Sequence, residues 1–168
     1  TSLCGGFQQF RAMERVRLPE RSSSARELAL KCASSLPNVT DLNVGEATAA
    51  DVQGIAAFFP RLSSLSFFAA DSDVLPALAA SAVAKQLTSL DVNELTAAPD
   101  VLSLAQFTNL ASLRCQFLGD DDSQASFAEL QLPHLQTLDL TLRVHDQTPI
   151  LLSSQPLMQI RSLCFREC

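Results

Sequence analysis

The sequence predicts an α/β fold in which one short parallel strand recurs about seven times, each copy followed by a helix or turn that returns the chain to the next. Three observations lead there. Phrases such as VTDLNVGEA (39–47), LSSLSFFAA (62–70), LTSLDVNEL (87–95), LASLRCQFL (110–118) and LQTLDLTLR (135–143) set apolar residues in alternation with small polar ones, the period of a strand with one buried face. Centred on the second apolar residue, they fall at Val16, Leu42, Leu65, Leu90, Leu113, Leu138 and Leu163, at intervals of 26, 23, 25, 23, 25 and 25 residues. Finally, four columns (six before, three before, at, and two after each centre) give 28 positions, and all are apolar in a chain that is 47% hydrophobic. About half would be apolar by chance.

A lone strand with one apolar face does not persist in water, whereas parallel stacking of identical strands buries each apolar column against its neighbours. Residues 1–9 read as a lead-in and 10–168 as the repeated unit. Between the first two centres, SSSARELALKCASS (22–35) predicts a helix capped by Ser24, carrying Glu27 and turning Leu28 and Cys32 inward. Next, TAADVQGIAAFF (48–59) places Val52, Ile55, Ala56 and Phe59 at i, i+3, i+4 and i+7, a helical face. The apolar run VLPALAASAVA (74–84) is too short to span a membrane and contains Pro76. In APDVLSLAQF (98–107), Pro99 opens a helix whose inner side carries Val101, Leu104 and Phe107. LGDDDSQAS (118–126) reads as an acidic loop, and RVHDQTPIL (143–151) as a looser segment in which Pro149 opens a helix. The pairs Leu36-Pro37, Phe59-Pro60 and Leu132-Pro133 share one place in the repeat, where proline ends a helix and hands the chain over extended.

These phrases resemble the leucine-rich repeat family, whose signature is L-x-x-L-x-L followed by a helical or extended return. The resemblance covers residues 10–168. It implies a solenoid of about seven repeats, with parallel strands on the concave face and helices or turns on the convex face. The chain departs from the family pattern five residues after each centre. There the family usually places Asn, sometimes Cys or Thr, and here stand Arg21, Ala47, Ala70, Leu95, Leu118, Arg143 and Cys168, with no Asn. It is similar to a divergent member of the family.

Composition excludes several functions. Net charge is −6 and the sequence pI about 4.8, and the only basic group, Arg11, Arg15, Arg17 and Arg21, is interrupted by Glu14 and Glu20. A nucleic-acid partner calls for a basic stripe, so none is expected. No apolar run reaches membrane-spanning length, and the N-terminus has no signal segment, so no membrane partner is expected. Five cysteines (Cys4, Cys32, Cys115, Cys164 and Cys168) form no C-x₂-C pair and are odd in number. Reduced thiols and a cytoplasmic location are the simplest reading. The two histidines, His134 and His145, have no nucleophile motif beside them, and Gly45 and Gly54 lack phosphate-loop spacing. DSD (71–73) and DDDS (120–123) lack the Gly and distant Glu of a calcium loop. Asn38-Val39-Thr40 fits the glycosylation pattern, but Val39 is a core column position, so it reads as a chance match. A non-catalytic chain without metal or cofactor is expected.

Recognition would then rest on the polar positions between the columns, which stacking gathers on the open face. The partner-binding candidates are Asn43, Ser66, Ser89, Asp91, Ser112, Arg114, Thr137, Asp139 and Arg161. Asp91, Arg114 and Asp139 stack as a ladder of alternating charge, with Arg114 the one central side chain long enough to grip a partner carboxylate. The resemblance implies protein partners and a role in protein–protein interaction or scaffolding. Alternatives are an architectural subunit of a large assembly, or a substrate-recognition domain of an F-box-type ubiquitin ligase. The seventh phrase closes at Phe165, three residues before Cys168, so an end of the stack is expected to be covered by a partner or by further repeats.

Overall fold

The structure is a computed structural model that describes residues 14–18, 36, 38–69, 72–95, 98–117, 130–142 and 161–167. Ala69, Phe117, Leu142 and residues 162–167 are described by backbone alone. The lead-in, the helix expected over 22–35, the acidic loop, the 143–151 segment, His145, and the cysteines other than Cys115 and Cys164 lie outside these residues.

Among the described residues seven strands form one parallel sheet in chain order: β1 (Arg15–Arg17), β2 (Asp41–Ala47), β3 (Ser64–Ala69), β4 (Ser89–Leu95), β5 (Ser112–Phe117), β6 (Thr137–Leu142) and β7 (Ser162–Glu167). Interleaved with them are α1 (Ala49–Phe58), α2 (Val74–Ala80) and α3 (Ala98–Ser103). Single 3-10 turns follow the last two: Ala82–Lys85 after the extended Ser81, and Leu104–Gln106 directly after Ser103. Neighbouring helices pack on one another, α1 on α2 and α2 on α3.

The strands align centre on centre. Val16 pairs with Leu42, Leu42 with Leu65, Leu65 with Leu90, Leu90 with Leu113, Leu113 with Leu138, and Leu138 with Leu163. The side chains of the four apolar columns are buried at every described position except Val16 and Leu36, which pack partly buried against the same core. Helix residues Val52, Ile55, Val74, Leu75, Leu78, Val101 and Leu104 complete that single cluster. One sheet face is therefore sealed by the helical layer and the other is open.

Two backbone devices explain why the columns repeat. A tight turn joins the first column to the second: Leu62 N–H donates to Phe59 O (3.2 Å), Leu110 to Phe107 (3.0 Å) and Leu135 to Leu132 (3.1 Å). This lets two apolar residues three apart both face the core. At the start of each strand a single carbonyl then accepts two successive N–H groups from the next strand. Thr40 O takes those of Ser63 and Ser64, Ser63 O those of Thr88 and Ser89, Thr88 O those of Ala111 and Ser112, and Ala111 O those of Gln136 and Thr137, all at 2.8–3.0 Å. The side chains of Ser63 (3.3 Å) and Thr88 (3.2 Å) donate to the same carbonyls. The hydroxyl residues two before the centre thus brace the stack.

The helix expected over 48–59 is α1. Its N-cap is a reciprocal pair: Asp51 N–H donates to Thr48 Oγ1 (3.4 Å) and Thr48 N–H to Asp51 Oδ2 (2.9 Å). It ends at Phe58, before Pro60, as the proline placement requires. The expected 98–107 helix starts at Ala98, one residue before Pro99, and tightens to a 3-10 turn after Ser103.

Two strands carry a bulge. Between Asn43 and Glu46 in β2, and between Val92 and Glu94 in β4, one residue is inserted relative to the neighbour. Gly45 sits in the first bulge at φ 67°, the left-handed region that glycine enters without Cβ strain. Beyond the bulges the phase changes: Ala47 pairs with Ala69, and Leu95 with Phe117. Five residues after the centre in a bulged strand thus matches four after it in a regular one. The column compared with the family Asn at +5 is not one structural column. No helix among the described residues is long and apolar enough to cross a membrane.

Candidate functional site

The open face is built from odd positions of the strands, because consecutive side chains point to opposite sides. Two rows cross it. The row before the centres runs Arg15, Asp41, Ser64, Ser89, Ser112, Thr137, and the row after them Arg17, Asn43, Ser66, Asp91, Arg114, Asp139. Asn43, Ser66, Ser89, Asp91, Ser112 and Asp139 are half-buried, while Arg114 and Thr137 are exposed. Eight of the nine predicted residues are thereby gathered on one surface. The ninth, Arg161, is exposed just before β7 and belongs to the bracing position, where its N–H donates to Gln136 O at 2.8 Å.

The ladder exists. Arg114 Nε donates to Asp139 Oδ2 at 2.9 Å, and its Nη1 lies 3.8 Å from Asp91 Oδ2. With Arg114 61% exposed, these pairs contribute about 0–1 kcal/mol to stability. Their main effect is to hold the guanidinium upright between two strands. Asp91 is the less well served carboxylate. Its partial burial raises its pKa above the ordinary 3.8; Arg114 offsets part of this and Asp139 adds to it. Beneath the ladder, burial pushes up the pKa of the Cys115 thiol, with the carboxylates of Asp91 and Asp139 adding to the effect. It stays protonated and unreactive.

A raised carboxyl pKa makes the folded state bind more protons than the unfolded one between 3.8 and the raised value, so the Asp91 contribution to stability falls as pH rises through that window. Asp91→Asn is therefore expected to gain stability relative to wild type between pH 3 and pH 7. Urea unfolding at both pH values measures this, and a relative loss at pH 7 would contradict it.

One residue escaped the sequence reading. Phe68, one past the Phe67 column, is 51% exposed on the open face, paired with Glu46 of β2. Its signal was the doubled Phe in LSSLSFFAA: alternation allows only one of the two inside. His134 is exposed. Val39 is buried, and Asn38 Oδ1 accepts from Arg61 at 3.0 Å. Among the described residues no three His, Cys, Asp or Glu side chains gather to hold a metal. Compared with known family models and with curated proteins, the chain finds no match in either.

Proposed function

We propose that this chain is a leucine-rich-repeat-like solenoid, curved with its open face inward, acting as a non-catalytic protein-recognition or scaffolding module. The observation that carries the reading is the asymmetry of the sheet. One face is sealed, and the other presents the upright Arg114 between Asp91 and Asp139 with the exposed Phe68 two strands from Arg114. Arg and aromatic side chains are the groups that concentrate binding energy in protein interfaces. The buried free thiol of Cys115 accords with a cytoplasmic setting.

The test begins with light scattering on the isolated chain, then capture of its partner from native lysate and titration of the purified pair. Arg114→Ala is expected to weaken binding about tenfold or more, a typical loss for a central Arg anchor. Unchanged affinity in both Arg114→Ala and Asp91→Ala would remove the open face as the recognition surface.

A further inference from the structure

A third row crosses the open face, three residues past the centres of the regular strands. In β3 it is Phe68, which pairs with Glu46 of β2. On the other side β4 contributes Glu94, which the bulge brings opposite Gln116, the residue at the same place in β5. Phe68 thus stands between two glutamates whose Cα atoms lie roughly 10 Å apart, two strand spacings. All three side chains are exposed. The other exposed large apolar side chain among the described residues, Leu102, lies in the helical layer.

Nothing nearby neutralises these two carboxylates. Strands β2, β3 and β4 carry Asp41, Glu46, Asp91 and Glu94 and no Lys or Arg. Arg114, two strands from Phe68, is committed to Asp139 at 2.9 Å and to Asp91 at 3.8 Å. On β1, Arg15 lies 3.9 Å from Asp41, and Arg17 is engaged as well. Neither Glu46 nor Glu94 makes a hydrogen bond or ion pair among the described residues. An open aromatic ring, whose face is the negative part of its quadrupole, is therefore flanked by two anions with no cation between them.

We propose that Phe68, Glu46 and Glu94 form a clamp for one arginine side chain of a partner polypeptide, a proposal that rests on the recognition reading above. The guanidinium stacks on the ring, and its in-plane N–H groups donate sideways to the carboxylates. This arrangement selects Arg over Lys. A planar fork can stack and donate at its edges together, whereas an ammonium is a compact and strongly hydrated point charge. The same carboxylates repel an acidic segment laid across these strands.

The test titrates the ¹⁵N-labelled 168-residue chain with acetyl-Ser-Arg-Ser-amide and with its Lys and Gln counterparts, following amide resonances. The Arg peptide should give saturable shifts at Glu46, Phe68 and Glu94 and leave Leu138 unmoved. The Lys peptide should bind about threefold more weakly, and the Gln peptide about tenfold or more. Glu46→Gln/Glu94→Gln should lose the Arg response by about tenfold. Phe68→Leu, which keeps an apolar side chain without the ring, should lose about threefold. These positions are exposed, so the variants keep the fold. Equal affinity for the Arg and Lys or Arg and Gln peptides, or a response unchanged in either variant, would overturn the assignment. So would shifts at these residues on concentrating the chain alone, which would give the surface to a second copy. The titration needs no native partner. A saturable Arg response beside failed capture upholds the clamp and counts against the recognition reading alone; capture beside an absent Arg response counts against the clamp alone.

Discussion

Replacing Phe107 by alanine is expected to destabilise the fold by about 3–5 kcal/mol, the largest single-residue effect foreseen in this chain. Phe107 is fully buried. Its N–H closes the 3-10 turn on Leu104 O and its carbonyl accepts from Leu110, so its backbone is fixed while its ring fills the core between helix and sheet. With its backbone held by these bonds, relaxation refills the vacated space only in part. Phe107→Leu, which keeps most of the volume, should cost far less, below about 1.5 kcal/mol. Phe68→Ala, on the open face, should stay within about 0.5 kcal/mol. Chemical denaturation of the three variants checks the order, and a Phe107→Ala loss below that of Phe107→Leu would show that the ring is not part of the packed core.

Gly45→Val should cost about 2–4 kcal/mol, by a different route. At φ 67° a Cβ meets the following carbonyl, which costs roughly 1–2 kcal/mol for any L-residue and more for a β-branched one. Gly45 is also buried, so the added methyls have no room. Relief requires undoing the β2 bulge, and that would turn Ala47 out of the core and Glu46 into it. Gly45→Ala should lie between the two. Equal midpoints in urea for Gly45→Val and wild type would mean that the bulge carries no conformational constraint.

Much of this architecture is legible in the sequence. The seven centres chosen from L-x-x-L-x-L phrasing are the residues that face one another across the sheet, because a one-residue slip would expose a whole apolar column. The Asp91, Arg114, Asp139 ladder followed from the same register. Less visible were features that depend on local backbone conformation. The bulges in β2 and β4 shift the phase after the centre, so the +5 positions looked comparable when they are not. The Thr48/Asp51 cap used Asp where the familiar signature has Glu or Gln. Thr40, Ser63 and Thr88 looked like variable surface residues, yet Ser63 and Thr88 donate to carbonyls 23 and 25 residues back. Nothing in one strand's pattern marks a bond to another turn of the chain.

The carbonyls that each receive two N–H groups also separate two kinds of change. The described strand starts from β2 to β6 are each clamped to the preceding one, so the 23 to 26 residues from centre to centre need not be equal. The open face then behaves as a grid with fixed coordinates. A substitution at these clamped positions alters the chemistry at one address and leaves its neighbours in place, while an added residue falls beyond them, as the bulges of β2 and β4 show. A lineage of such proteins can thus rewrite its surface one address at a time, and drift in length, without either process disturbing the other.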